Sequence, residues 1–342
     1  MAEWLPGVRV ERRRFVEVSV DPAVTLFTVL TAEEPARNPL LVIHGGPDWD
    51  HSYLRDPLIR LADHHDLIFP DLRGCGRSTR GLPDDQYTPD AATADLVALL
   101  DALGVTRADV LGFSYGGMIA QRLALAAPGR VRRLVIASST VLPVPAGAFD
   151  GWPERARRTA AEAAVWSEAD GRSQADGRSQ MDGRSQADGR SQTDGRSQAD
   201  GRSQADGRSP GGVVSGPALA GPGLTRAAAF AGAEAAVWRA ESLPAYRERL
   251  SRVRFSAEWL RPWRAGTLPS ARLDDAPERL AALGIPILLL HGRQDMTFPA
   301  ALAERAARLI PGARAVILDE AGHMAHVDRP GSWLEAVSGF LR

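Results

Sequence analysis

The chain has a single cysteine, Cys75. One thiol cannot build an intrachain disulfide framework, which excludes small disulfide-stapled scaffolds and fits a reducing compartment. Net charge is nearly absent as well: 41 basic residues face 42 acidic ones, a formal balance of -1 at pH 7. Nothing in that balance implies a polyanion-binding surface, so nucleic acid is not an expected partner. Long apolar runs are also missing. The start, MAEWLPGVRVERRRF, has no basic segment followed by an apolar stretch. The reading therefore expects no signal peptide, no transmembrane helix and no membrane partner, and a cytoplasmic protein.

What is present is ordinary globular material. The 342 residues are 44% hydrophobic and 24% charged, enough for one large α/β domain or two smaller ones. Residues 169–210 stand apart. They are seven hexapeptides of the form ADGRSQ, varying only at the first and last positions. Each unit carries one Asp and one Arg, and apart from alanines the only apolar side chain is Met181. Such a segment cannot bury enough surface to offset the entropy of ordering it. A calcium-binding β-roll would need nonapeptides and a recurring apolar position to stack its coils, and neither is found. The expectation is a disordered low-complexity insertion, extended by the stretch PGGVVSGPALAGPG at 210–223. Deleting residues 169–210 is expected to shift stability by about 1 kcal/mol or less. Melting temperatures of the full-length and deleted forms check this; loss of the cooperative melt would make the repeat part of the working structure.

Outside the repeat, apolar runs alternate with amphipathic segments. RRFVEVSV and VTLFTVLTA read as an opening hairpin. PLLVIHG (39–45), DLIFPDL (66–72), ADVLGFS (108–114), RRLVIASS (132–139), IPILLLHG (285–292) and ARAVILDE (313–320) read as short buried strands. Their nearly continuous apolar character suits a parallel sheet covered on both faces. Helical patterns lie between them: SYLRDPLIRLADH, TPDAATADLVALLDALGV, YGGMIAQRLALAAP, PAALAERAARLI and SWLEAVSGFLR. The alternation predicts a mostly parallel, doubly wound α/β sheet. The rhythm breaks over 141–275, which is rich in Ala, Arg and Trp. The predicted organisation is a core of residues 1–140 and 276–342 with a helical cap, 141–275, inserted after the sixth strand.

In GFSYGG, Ser114 ends an apolar strand and opens an amphipathic helix. A serine there must sit on a tight turn that lifts its hydroxyl out of the sheet, and Gly112 and Gly116 let strand and helix approach closely. The following helix N-terminus favours developing negative charge. A serine hydroxyl still needs a base. EAGHMAHVDRP places His323 just after the last predicted strand, and LLLHGRQD places Asp295 just after the preceding one. All three loops leave the C-terminal ends of parallel strands and can converge. The chain order Ser, Asp, His suits a serine nucleophile, a histidine base and an orienting carboxylate. His326 is the competing base and Asp319 the competing acid. His44 reads as a structural hydrogen-bonding residue, and RGCGRS as a turn containing an unreactive Cys75. His51, His64, His65 and His291 are scattered, and no metal-ligand spacing emerges.

HGGP (44–47), DLRGCGRS (71–78), GFSYGG (112–117), HGRQD (291–295) and GHMAHVDRP (322–330) occur in the order found in the α/β-hydrolases. The chain resembles that superfamily, and within it the proline iminopeptidase-like branch. The resemblance spans nearly all of the chain outside 141–275. It implies the α/β-hydrolase fold, a Ser114–Asp295–His323 triad, and an oxyanion hole from the backbone N–H groups of Gly46 and Tyr115. It requires no cofactor. The expected substrate is a small molecule or short peptide, with two chemistries open: an aminopeptidase of the iminopeptidase type, or a small-ester or lactone hydrolase. A lyase or a non-catalytic ligand-binding member of the fold is the further alternative. An iminopeptidase needs cap acids to hold a substrate ammonium. Glu234, Glu241 and Glu258 are available, and Trp238, Trp259 and Trp263 could line a pocket. Trp238, Glu241 and Trp259 are taken as the expected substrate contacts.

Overall fold

The computed structural model describes residues 11–187 and 221–342. Eight strands form one sheet: β1 (Arg12–Val20), β2 (Ala23–Leu30), β3 (Leu40–Ile43), β4 (Leu67–Pro70), β5 (Ala108–Phe113), β6 (Val131–Ala137), β7 (Ile287–Gly292) and β8 (Ala313–Leu318). Their order is β1-β2-β4-β3-β5-β6-β7-β8. The β1–β2 hairpin is antiparallel, and β2 pairs antiparallel with β4. All remaining pairs are parallel. This is the doubly wound sheet that the apolar runs predict.

Strands β3, β4, β5 and β7 are buried at every position, which is why they read as continuous hydrophobic runs. Their side chains still alternate between faces. Leu41, Ile43, Ile287 and Leu289 join one core with the helices Pro89–Ala102 and Tyr115–Ala126. Leu40, Val42, Leu288 and Leu290 join the other with Tyr53, Trp333 and Val337. The helix Pro89–Ala102 starts where its sequence dictates: Thr88 accepts a hydrogen bond from the Ala91 N–H at 3.1 Å, and Pro89 occupies the first turn, where no N–H is needed.

One expected helix does not form. Residues 52–64 are broken into short turns at His51–Leu54, Arg55–Leu58 and Ile59–Asp63. Pro57 is the cause, because a residue before proline is pushed out of the helical region, and Asp56 sits at φ -98°, ψ 123°.

After β6 the chain leaves the sheet into helices at Pro153–Ala187, Pro222–Ala231, Leu243–Arg252 and Leu260–Arg264. The first of these carries on through residues 169–187, so the opening of the hexapeptide repeat is helical rather than unstructured. Residues 188–210, the rest of the repeat, lie outside the described residues, as do 211–220 of the stretch that follows it.

Two buried carboxylates fasten the helical segment to the loops above the sheet. Asp48, directly after HGGP, accepts from Ser256 Oγ at 2.8 Å and from the N–H groups of Trp259 and Leu260 at 3.1 and 2.8 Å. Asp328 accepts from the N–H groups of Gly322, Trp238 and Arg239 at 2.8, 2.8 and 3.1 Å. No helix among the described residues is long and apolar enough to cross a membrane.

Candidate active site

Ser114 stands between β5 and the helix Tyr115–Ala126 at φ 53°, ψ -122°, a left-handed conformation for a residue with a side chain. Such a conformation costs on the order of 1–3 kcal/mol and survives only where the surroundings enforce it. The glycines around it show how. A Cβ on Gly112 would meet the Gly116 carbonyl oxygen at 2.2 Å, and one on Gly116 would meet the Ile43 and His44 carbonyl oxygens at 2.3 Å. Strand and helix therefore touch backbone to backbone, and the turn has nowhere to relax. Gly116→Ala is expected to destabilise the protein by about 3 kcal/mol, read as a lowered melting temperature. An unchanged melt would contradict the close approach.

The three residues that motif order brings together do meet. Ser114 Oγ–H donates to His323 Nε2 at 3.0 Å. His323 Nδ1–H donates to Asp295 Oδ2 at 2.9 Å. Asp295 is fully buried, and its other oxygen accepts from the Thr297 and Phe298 N–H groups at 2.7 and 2.9 Å. His291 Nε2–H also approaches Asp295 Oδ2, at 3.1 Å. Burial alone would raise the Asp295 pKa, but the adjacent His323 and His291 rings more than reverse this and hold the carboxyl well below its ordinary range. An ionised Asp295 can only accept, so the His323 proton sits on Nδ1 and Nε2 is left as the base.

The competing residues are placed elsewhere. His326 is fully buried and packs edge-on against Phe113, ring centroids 5.1 Å apart. Burial drives its pKa down, so it is a neutral core ring. Asp319 is exposed and paired with Arg293. His44 donates through Nδ1 to the Gly45 carbonyl at 2.7 Å and accepts the Leu72 N–H at Nε2, 3.0 Å away. It is the structural residue expected. Cys75 is buried, and burial pushes its thiol pKa up, away from reactivity.

Ser114 and His323 open into a cavity of about 410 Å³ whose wall includes Gly46, Met296 and Thr297. Tyr115 is the first residue of its helix, so its N–H has no acceptor within that helix. The roof is the helix Pro153–Ala187, which contributes Arg155, Thr159 and Glu162. These positions, spaced four and three apart, share one helical face.

Two of the three expected substrate contacts lie away from this cavity. Trp238 lies beneath the Arg158 guanidinium, 5.0 Å from its ring, with its N–H held by Asp328. Glu241 is exposed and paired with Arg239. Neither lines this cavity. Of the other acids, Glu258 accepts from Tyr87 Oη at 2.6 Å and from the Gly81 N–H at 3.0 Å, a turn-fixing role. Trp259 is fully buried, with its indole N–H donating to the Arg73 carbonyl at 2.8 Å. It lines a neighbouring cavity, as does Trp263.

The acid that faces the cavity is Glu162. Its carboxylate accepts from Trp166 Nε1 at 3.3 Å. Burial raises its pKa, with the Trp166 hydrogen bond and the nearby His323 pulling it back. A raised folded-state pKa means stability that is present below the ordinary carboxylate range and lost as pH rises through the folded value. Glu162→Gln is therefore expected to melt at a higher temperature than the parent above neutral pH, the gap closing toward about pH 4. A gap independent of pH would contradict the burial effect.

A family model for the alpha/beta hydrolase fold matches residues 38–330. Among curated proteins, 2-hydroxymuconate semialdehyde hydrolase of Pseudomonas sp. (strain CF600) is 42% identical over 111 residues, 31% of this chain and 38% of that protein. Proline iminopeptidase of Lactobacillus crispatus (strain ST1) is 38% identical over 89 residues, 25% of this chain and 29% of that protein. The chain matches well under half the length of either relative. Among solved structures, a proline iminopeptidase-related protein from Thermus thermophilus superposes with a TM-score of 0.62 at 23% identity, covering 97% of both chains. The family match takes in both the serine turn and the histidine loop, and the protein belongs to the alpha/beta hydrolase fold family.

Proposed function

We propose that the protein is a serine hydrolase that cleaves a small carboxylic acid derivative through an acyl-enzyme on Ser114. The observation that carries this reading is the hydrogen-bonded chain Ser114 Oγ, His323 Nε2, His323 Nδ1, Asp295 Oδ2. Ser114 Oγ attacks the carbonyl carbon while its proton passes to His323 Nε2. The oxyanion is held by the N–H groups of Gly46 and Tyr115, two donors worth several kcal/mol together. His323 then protonates the leaving group as the carbon–heteroatom bond breaks. Water, deprotonated by the same nitrogen, releases the acid and regenerates Ser114. Asp295 keeps the ring in the correct tautomer and stabilises its cation.

An aminopeptidase is the second reading, favoured by Glu162, the acid that a substrate ammonium would meet in the cavity. A panel of p-nitrophenyl esters and aminoacyl p-nitroanilides tests both. Turnover of the esters with an initial burst supports the acyl-enzyme, and turnover confined to the anilides supports the peptidase. No turnover in either series would overturn the hydrolase reading.

A further inference from the structure

Beside the catalytic cavity lies a second one, of about 350 Å³, sharing Gly46, Trp49, Glu162, Ala228 and Ala229 with it as common lining. Its own wall is largely aromatic and aliphatic: Tyr115, Trp166, Trp259, Leu260, Trp263 and Leu268. Most of the polar groups there are already engaged; the Tyr115 and Thr225 hydroxyls are buried without a partner. Trp259 Nε1–H donates to the Arg73 carbonyl, and Trp166 Nε1–H to Glu162. The Asp48 carboxylate is taken up by Ser256, Trp259 and Leu260. Apart from those two hydroxyls, what remains is ring faces and aliphatic side chains. Tyr115 and Trp259 meet edge to face at 5.8 Å, and Trp166 and Trp263 at 6.0 Å. Trp263 is 58% exposed. That exposed indole stands at the rim of a concave, mostly apolar cavity, the kind of site that binds apolar ligand groups.

Reaction geometry decides which half of a substrate belongs there. The carbonyl oxygen must lie between the N–H groups of Gly46 and Tyr115, and the leaving group must face His323 Nε2, which protonates it. The remaining substituent, the acyl chain, then points away from His323. The cavity on the histidine side is walled by His323, Met296, Thr297, Arg155 and Thr159. The second cavity is walled by Gly46 and Tyr115 and by none of those five. It lies beside the oxyanion donors and away from the histidine.

We propose that this tryptophan-lined chamber is the acyl subsite, and that the preferred substrates carry a bulky apolar or aromatic acyl group. The proposal rests on the serine-hydrolase reading. An apolar acyl group gains there by leaving water and by stacking on indole faces, both realised while the acyl-enzyme forms.

The test holds the leaving group constant. p-Nitrophenyl 3-phenylpropanoate is expected to exceed p-nitrophenyl acetate in kcat/KM by at least about tenfold, beyond their ratio in uncatalysed hydrolysis. Trp166→Ala and Trp263→Ala should each lower that ratio about tenfold or more. Trp263 is exposed, so its variant keeps the test open if the Trp166 variant fails to fold. A second series varies the alcohol of acetate esters. If the tryptophan variants change selectivity in that series instead, the chamber holds the leaving group and the proposal is overturned. Equal loss on both acyl groups also overturns it, because a merely structural tryptophan would act that way. If no ester is turned over, binding of 3-phenylpropanoate, followed by tryptophan fluorescence, separates the two failures. Saturable binding weakened by Trp166→Ala keeps the chamber as an apolar-acid site while the hydrolase reading falls. No binding removes both.

Discussion

Ser114→Ala is expected to lower kcat by about a millionfold while the fold stays intact. The magnitude follows from interdependence. His323 Nε2 has no proton to take once the hydroxyl is gone, and Asp295 then orients a base without a task, so removing one member costs nearly what removing all three would. The fold should survive because Ser114 Oγ contributes a single hydrogen bond, to His323 at 3.0 Å, and such a bond is worth about 1 kcal/mol net. Alanine also keeps the Cβ, so the strained turn at φ 53° is neither relieved nor worsened. Steady-state kinetics with a melting curve on the same sample check the prediction. Activity within about tenfold of the parent enzyme would assign the nucleophile elsewhere.

Asp295→Asn should cost about ten-thousandfold in kcat, and the hydrogen bonds around Asp295 explain why. The N–H groups of Thr297 and Phe298 both point at Asp295 Oδ1. An asparagine must turn its carbonyl oxygen to them or leave two donors without an acceptor. Its amide nitrogen then faces His323 Nδ1 and donates to it, which forces the ring proton onto Nε2. The base is lost although the ring has not moved. The same substitution removes a pH dependence. The depressed pKa of Asp295 means that its contribution to stability is present above the ordinary carboxylate range and is lost as pH falls toward its folded value. The Asn variant should therefore show a shallower loss of stability in acid. A nearly active variant would point to another carboxylate, but Asp319 is exposed and tied to Arg293.

The sheet and the Ser114–Asp295–His323 cluster were legible because local pattern and global position agree there. Strands buried on both faces must be almost wholly apolar, so β3, β5 and β7 announce themselves. Loops at the C-terminal ends of parallel strands converge whatever the intervening chain does. The roof of the site was not legible for the opposite reason. Arg155, Thr159, Glu162 and Trp166 form one face of a helix whose first turns are otherwise mostly Ala, Arg and Glu, and nothing in that composition says which face looks down. Glu162 is a surface residue by pattern and becomes half-buried only because the helix lies across the serine turn. Trp238 and Glu241 illustrate the converse: attractive residue types in the right region, but turned toward Arg158 and Arg239. Asp48 and Asp328 sit beside recognisable motifs. Asp48 is bound to partners some 200 residues further along the chain, and Asp328 to backbone N–H groups about 90 residues earlier. Their hold on the helical segment after β6 is a tertiary fact. Only Pro57, which breaks the expected helix over 52–64, was a local signal that the apolar pattern outweighed.

The central claim is that Ser114 is an activated nucleophile, and covalent labelling tests it most directly. A fluorophosphonate should add once per chain, and proteolysis followed by mass spectrometry should place the adduct on Ser114. Labelling should vanish in Ser114→Ala and slow severely in His323→Ala. An unlabelled protein, or an adduct on any other residue, would contradict the account.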